Sequence, residues 1–144
     1  MTKQLLLAEA QRARCVFENH NNGICLEYFG GFPFGVCGNV CEFLGGRLLQ
    51  IGINNVRCIH GAKLDGGTHA WLEVGDIIID ITSDQFSDGL GKVYVDNNRS
   101  FHDCFEDQYV GIINLHVELK EDFKIFCTLM NNDQPYGLNK SGSE

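Results

Sequence analysis

Three residues of this 144-residue chain have the types and the order needed for nucleophilic acyl chemistry: Cys37, His69 and Asp80. His69 and Asp80 belong to Thr68-His69-Ala70-Trp71-Leu72-Glu73-Val74-Gly75-Asp76-Ile77-Ile78-Ile79-Asp80, whose pattern predicts a tight β-hairpin. Residues 69–74 alternate, with Ala70, Leu72 and Val74 on one side and His69, Trp71 and Glu73 on the other. Gly75-Asp76 is a two-residue turn of the glycine-first kind, and Ile77, Ile78, Ile79 and Ile81 are β-branched. Pairing across that turn sets Val74 against Ile77 and Trp71 against Asp80, which leaves His69 diagonal to Asp80. Diagonal partners lie roughly 7–8 Å apart at their backbones, within reach of an imidazole and a carboxylate. A carboxylate so placed orients the ring and stabilises its charged form, as a general base requires of its third group.

Cys37 supplies a nucleophile. The stretch Phe32–Leu44 opens with turn residues and then becomes helical, because Cys37, Val40, Cys41, Leu44 and Leu48 follow the spacing of one helical face. Gly52 and Asn54-Asn55 close the helix. A cysteine in the first turn meets free N–H groups and the positive end of the helix dipole, which favour a thiolate. The same N–H groups can stabilise a developing oxyanion.

The Gly-Val-Cys-Gly-Asn opening, the His-Ala-Trp-Leu-Glu-Val strand and the Ile-Ile-Asp-Ile-Thr strand resemble the transglutaminase-like branch of the papain-like cysteine enzymes. Arylamine acetyltransferases share the same Cys, His, Asp order. The resemblance covers roughly Pro33 to Phe86. It implies a papain-like/transglutaminase-like α+β fold with the nucleophile-bearing helix on a mainly antiparallel sheet, and roles as nucleophile for Cys37, base for His69 and orienting carboxylate for Asp80. The chain is much shorter than animal transglutaminases and lacks the Arg-Gly-Gly-x-Cys signature of acetyltransferases. For a small acidic domain with no obvious second substrate platform, the reaction expected is amide hydrolysis through a thioester, by an amidase, a protein-glutamine deamidase or a peptidase. Acyl transfer to an amine on the same triad is the alternative, and a non-catalytic papain-like binding domain is the rival from another class.

Length suits one domain over residues 1–144, with its catalytic core at about 33–118 and a polar, frayed tail at 131–144. Hydrophobic residues at 44% and charged residues at 21% are ordinary for a globular protein. No apolar run approaches the roughly 18–20 residues that span a bilayer, so no membrane partner is expected. Met1–Arg14 does not read as a secretory signal. The net charge of −8 argues against nucleic acid and points to a neutral or basic substrate: a peptide, a protein or a small amide. Seven cysteines, Cys15, Cys25, Cys37, Cys41, Cys58, Cys104 and Cys127, lack paired spacing and read as reduced thiols of a cytoplasmic protein. All but Cys37 are expected in the core. Cys37 and Cys41 have a zinc-compatible spacing, but a second pair from His60 and His69 resembles no usual ligand motif, and no metal is expected. Gly30-Gly31 and Gly66-Gly67 read as turns rather than phosphate loops, and no cofactor is expected.

The elements that must position the three residues follow. Thr2–Asn19 reads as an amphipathic helix with Leu6, Ala10, Ala13 and Phe17 inward and Lys3, Gln11, Arg12 and Arg14 toward solvent. Residues 24–35 form a loop at the approach to Cys37, and the nucleophile helix runs to about Ile51. A strand at Val56–Gly61 precedes the hairpin. A polar connection spans 83–91, a short strand 92–96, an irregular stretch 97–108, a strand 109–118 and a last helix 118–130. Trp71 is expected to pack beside the dyad, and Asp84 and Gln85 to hold a nearby loop or cap a turn. Asn39 is close enough in sequence for oxyanion duty, though a helix side chain two positions on usually points elsewhere. His60, His102 and His116 are expected to be structural or exposed.

Overall fold

The computed structural model describes residues 2–20, 31–113 and 119–132. They form an α+β arrangement of three helices and one five-stranded antiparallel sheet. The helices are α1 (Thr2–His20), α2 (Cys37–Gln50) and α3 (Lys120–Asn132). The strands are β1 (Val56–Ala62), β2 (Thr68–Val74), β3 (Ile77–Asp80), β4 (Tyr94–Asp96) and β5 (Glu106–Gly111). Their order across the sheet is β4-β3-β2-β1-β5, so β2 is central and β4 and β5 are the edges.

Helical spacing explains the first layer. α1 buries Leu6, Ala10, Ala13 and Phe17, and α2 buries Val40, Cys41, Leu44 and Leu48. Both stripes pack into one core with Cys58, Ala70, Leu72 and Ile79 from the sheet. Gly45 permits the close approach of α2, since a Cβ there would stand 2.9 Å from Ile113 and 3.3 Å from Leu72. Arg14, expected toward solvent, is 3% exposed. It makes a bidentate pair with Asp84 at 2.8 Å for each bond and donates to the Ile81 carbonyl at 2.8 Å. A guanidinium can be buried this way because its planar fork satisfies several acceptors at once. The pair ties α1 to the chain that leaves β3.

The second face of the sheet is also covered. β4 and β5 lie on opposite edges, so the chain between them crosses that face. Phe101 and Phe105 of this crossing pack with Ile59, Trp71 and Ile78 in a second cluster flanked by Phe86 and Tyr94. Burial of each such ring contributes about 1.5–3 kcal/mol. Gly61 admits the crossing, because a Cβ there would meet that of Phe105 at 2.8 Å. The stretch 97–108 lacks helix or strand periodicity, and its order comes from these aromatic contacts and a short 3-10 turn at His102–Cys104.

Several boundaries differ from the sequence expectation. The last strand is Glu106–Gly111 rather than 109–118, since it pairs with β1 from Ala62 outward. Residues 114–118 lie outside the described residues, and so does the expected tail from 133 on. Asn131 and Asn132 continue α3.

Candidate active site

The hairpin carries the site. Val74 pairs with Ile77, Glu73 with Ile78 and Leu72 with Ile79. Gly75 takes a φ of +61°, the left-handed backbone that a glycine-first turn needs. The diagonal then closes: His69 Nε2 donates to Asp80 Oδ2 at 2.7 Å. The two side chains are 0% and 1% exposed. Asp80 Oδ1 accepts the Thr82 backbone N–H at 3.0 Å.

Burial alone would neutralise this pair, yet the charges win. Desolvation pushes the Asp80 carboxyl up, but the charge of His69 and hydrogen bonds from His102 and His69 hold it well below the usual carboxylate range. For His69, desolvation opposes the charge, and Asp80, then Cys37, overcome it and raise the imidazole to about 9. The ring is therefore cationic at neutral pH.

Cys37 opens α2, and its N-cap Val36 supplies no side-chain acceptor to the first-turn N–H groups. The half-buried Cys37 and His69 line one cleft of about 330 Å³. Cys37 lies near enough to raise the imidazole. The contact is loose, because His69 Nδ1 has no hydrogen-bond partner of standard geometry. With Nε2 committed to Asp80, Nδ1 is the ring atom left for the thiol. Such contacts commonly tighten only when substrate is bound.

A fourth residue was not legible in the sequence as part of this site. His102 is fully buried and its Nε2 donates to Asp80 Oδ2, also at 2.7 Å. An ionised carboxylate only accepts, so both imidazoles present N–H to one oxygen. The signal that could have pointed to it is indirect: a buried carboxylate among isoleucines needs several donors. The segment bearing His102 is pinned by Arg99, which pairs with Glu73 at 2.9 Å. Glu73 in turn accepts from Trp71 Nε1 at 2.9 Å and from Arg57 at 3.0 Å. Trp71 packs beside the dyad, its ring centroid 5.7 Å from His69 and 4.7 Å from His102.

His102→Phe keeps most of the volume but removes one donor from a buried carboxylate. Urea unfolding at neutral pH should show a loss of about 1–3 kcal/mol. Unchanged stability would mean that His102 contributes packing alone.

Other residues lie elsewhere. Asn39 does not line the cleft, and Asp84 is taken by Arg14. Gln85 donates to the Thr82 carbonyl, as a turn residue does. Of the expected approach loop, 24–30 fall outside the described residues, as do Cys25 and His116. The described part, 31–35, does not line the cleft; Phe32 stacks on Phe17 at 5.4 Å between centroids. Cys104 is exposed rather than core, with its thiol on the Ser100 carbonyl.

The alternative zinc set does not assemble. The Cys41 thiol donates a hydrogen bond to Cys58, and Cys58 Sγ stands 3.4 Å from His60 Nε2. Among the described residues, the group with metal-ligand donors close together is His69, Asp80 and His102. Its two Nε2 atoms each stand 2.7 Å from the one Asp80 Oδ2, as hydrogen-bond donors do.

No family model, no curated protein and no solved structure matches the chain.

Proposed function

We propose that this protein is a cysteine-dependent amide hydrolase that works through Cys37, His69 and Asp80. One observation carries the reading: Asp80 holds His69 by a 2.7 Å buried bond, and His69 lines one cleft with a cysteine at a helix start that lies near enough to raise the imidazole. A nucleophile, a base and an orienting carboxylate brought together from three separate elements have the geometry of a catalytic triad. The helix-on-antiparallel-sheet arrangement supports a papain-like, transglutaminase-like assignment within the α+β class.

In the reaction the Cys37 sulfur attacks the amide carbonyl and forms a C–S bond. The oxygen gains negative charge and is met by first-turn N–H groups of α2. His69 holds the thiol proton and gives it to the departing nitrogen as the C–N bond breaks, leaving a thioester and an amine or ammonia. Water then gives a proton to His69 and adds to the thioester; the acid and free thiol are released. Asp80 stays ionised and keeps His69 aligned, with His102 sharing its charge. An amine that reached the thioester before water would make the same centre an acyltransferase. Cys37, Cys41, Cys58, Cys104 and Cys127 carry free thiols, which supports a reducing, cytoplasmic setting.

The test is selective labelling. A trace of iodoacetamide at neutral pH should alkylate Cys37 before every other cysteine, because it stands at a helix start beside the His69 imidazole. With p-nitrophenyl acetate, the same residue should carry the acetyl group in a mass spectrum taken after acid quench. Peptide mapping that found Cys37 among the slowest thiols would overturn the assignment.

A further inference from the structure

The cleft beside Cys37 runs into an edge of the sheet. Asp107 and Tyr109 of β5 line it together with Cys37 and His69. Among the described residues β5 pairs only with β1, so its outer edge has no strand against it. The C-terminal half of that strand is also apolar and exposed: Tyr109 is 62% exposed and Val110 57%, with Ile112 just beyond at 82%. Proteins usually blunt such edges, because unpaired N–H and C=O groups beside apolar side chains are a template for another strand. The same arrangement is used to bind peptides by strand addition.

A second feature selects among peptides. The pairing of β1 with β5 goes from His60↔Tyr109 to Ala62↔Glu106, so Asp107 and Gln108 together oppose Gly61. This is a β-bulge, a device that re-aims a side chain next to a site. Asp107 sits in it with a φ of 54°, a left-handed backbone uncommon outside glycine. The result is an aspartate among the residues lining a cleft that includes no lysine or arginine. Its neighbour Glu106 is exposed, and the chain as a whole carries a net charge of −8.

We propose that the cleft takes an extended peptide that adds to the outer edge of β5 and sets a lysine or arginine against Asp107. This deepens the hydrolase reading and rests on it for the position of the reacting amide at Cys37. Strand side chains alternate, so the basic residue and the reacting residue stand an even number of positions apart. Backbone pairing supplies affinity without regard to sequence, and Asp107 supplies the preference for charge.

Binding is measured on the Cys37→Ala full chain, which separates it from catalysis. The probe is a fluorescein-labelled octapeptide that alternates valine or threonine with lysine or glutamine, read by anisotropy. It should bind about tenfold tighter than its counterpart with glutamate for lysine, and added salt should narrow the difference. Asp107→Asn should cut that preference to about threefold or less. N-methylation of one alternate set of peptide amides should abolish binding while the other set is tolerated, as a single paired edge requires. Absent binding of the lysine peptide, equal binding of both peptides or equal tolerance of both methylation sets would overturn the proposal. Non-selective alkylation of Cys37 in the wild type would instead sink the hydrolase reading and leave the binding result standing.

Discussion

Replacing His69 with alanine should lower turnover by about a thousandfold or more, because the base and the proton donor for the leaving nitrogen vanish together. Cys37→Ser should do the same, and the double variant should lose little further, since the two act as a unit. Asp80→Asn should retain more activity than either, as Asp80 orients rather than reacts. It should also move the pH dependence. In the wild type His69 keeps its proton up to about pH 9, so turnover should fall on the alkaline side near that value. Without the carboxylate charge that limb should move down toward an ordinary histidine value of about 6.5. The same shift links pH to stability. His69 binds its proton more tightly in the folded chain than in the unfolded one, so its contribution is full below about pH 6.5 and is lost as pH rises through 9. The checks are steady-state rates across pH on an activated ester, with an NMR titration of the imidazole. Near-normal turnover by His69→Ala would show that another group is the base.

Inserting one residue between Gly75 and Asp76 should have a comparable effect by a different route. A one-residue slip sends a strand's side chains to opposite faces. Asp80 would leave His69 and His102 at once. Turnover should collapse, Cys37 should lose its lead in alkylation, and the two imidazoles would lose their common acceptor. Breaking a buried charge pair costs about 3–5 kcal/mol, so urea unfolding should register it as well. Asp76→Asn keeps the length and chemistry of an exposed turn and should leave all three properties nearly unchanged. Circular dichroism establishes that the insertion variant folds, and its Cys37 alkylation rate then decides. A rate equal to wild type would mean that the His69–Asp80 contact does not activate the thiol.

Short-range periodicity in the chain specifies its local elements. Period-two alternation around Gly75-Asp76 specified the hairpin and its register, and hence the His69–Asp80 diagonal. Period-3.6 spacing placed Cys37 at the start of a helix and chose the buried stripe of α1. Each of these depends on residues a few positions apart, whose relative placement the backbone geometry dictates. Arg14 shows where that reasoning stops. Its charge and its helix suggested solvent, but Asp84, 70 residues on, supplied a bidentate partner that made burial tolerable. His102 and Asp107 show the same limit at the site. His102 reaches Asp80 because β4 and β5 fall on opposite edges, which forces the intervening chain across the sheet. Asp107 enters the cleft because a bulge opposes two residues to Gly61. Strand order and bulges are settled by pairing between distant segments and by burial of the aromatic cluster, and neither leaves a period in the chain. The helix start at Cys37 and the contact of His69 with Asp80 were therefore readable locally, whereas the places of His102 and Asp107 exist only once the sheet has assembled.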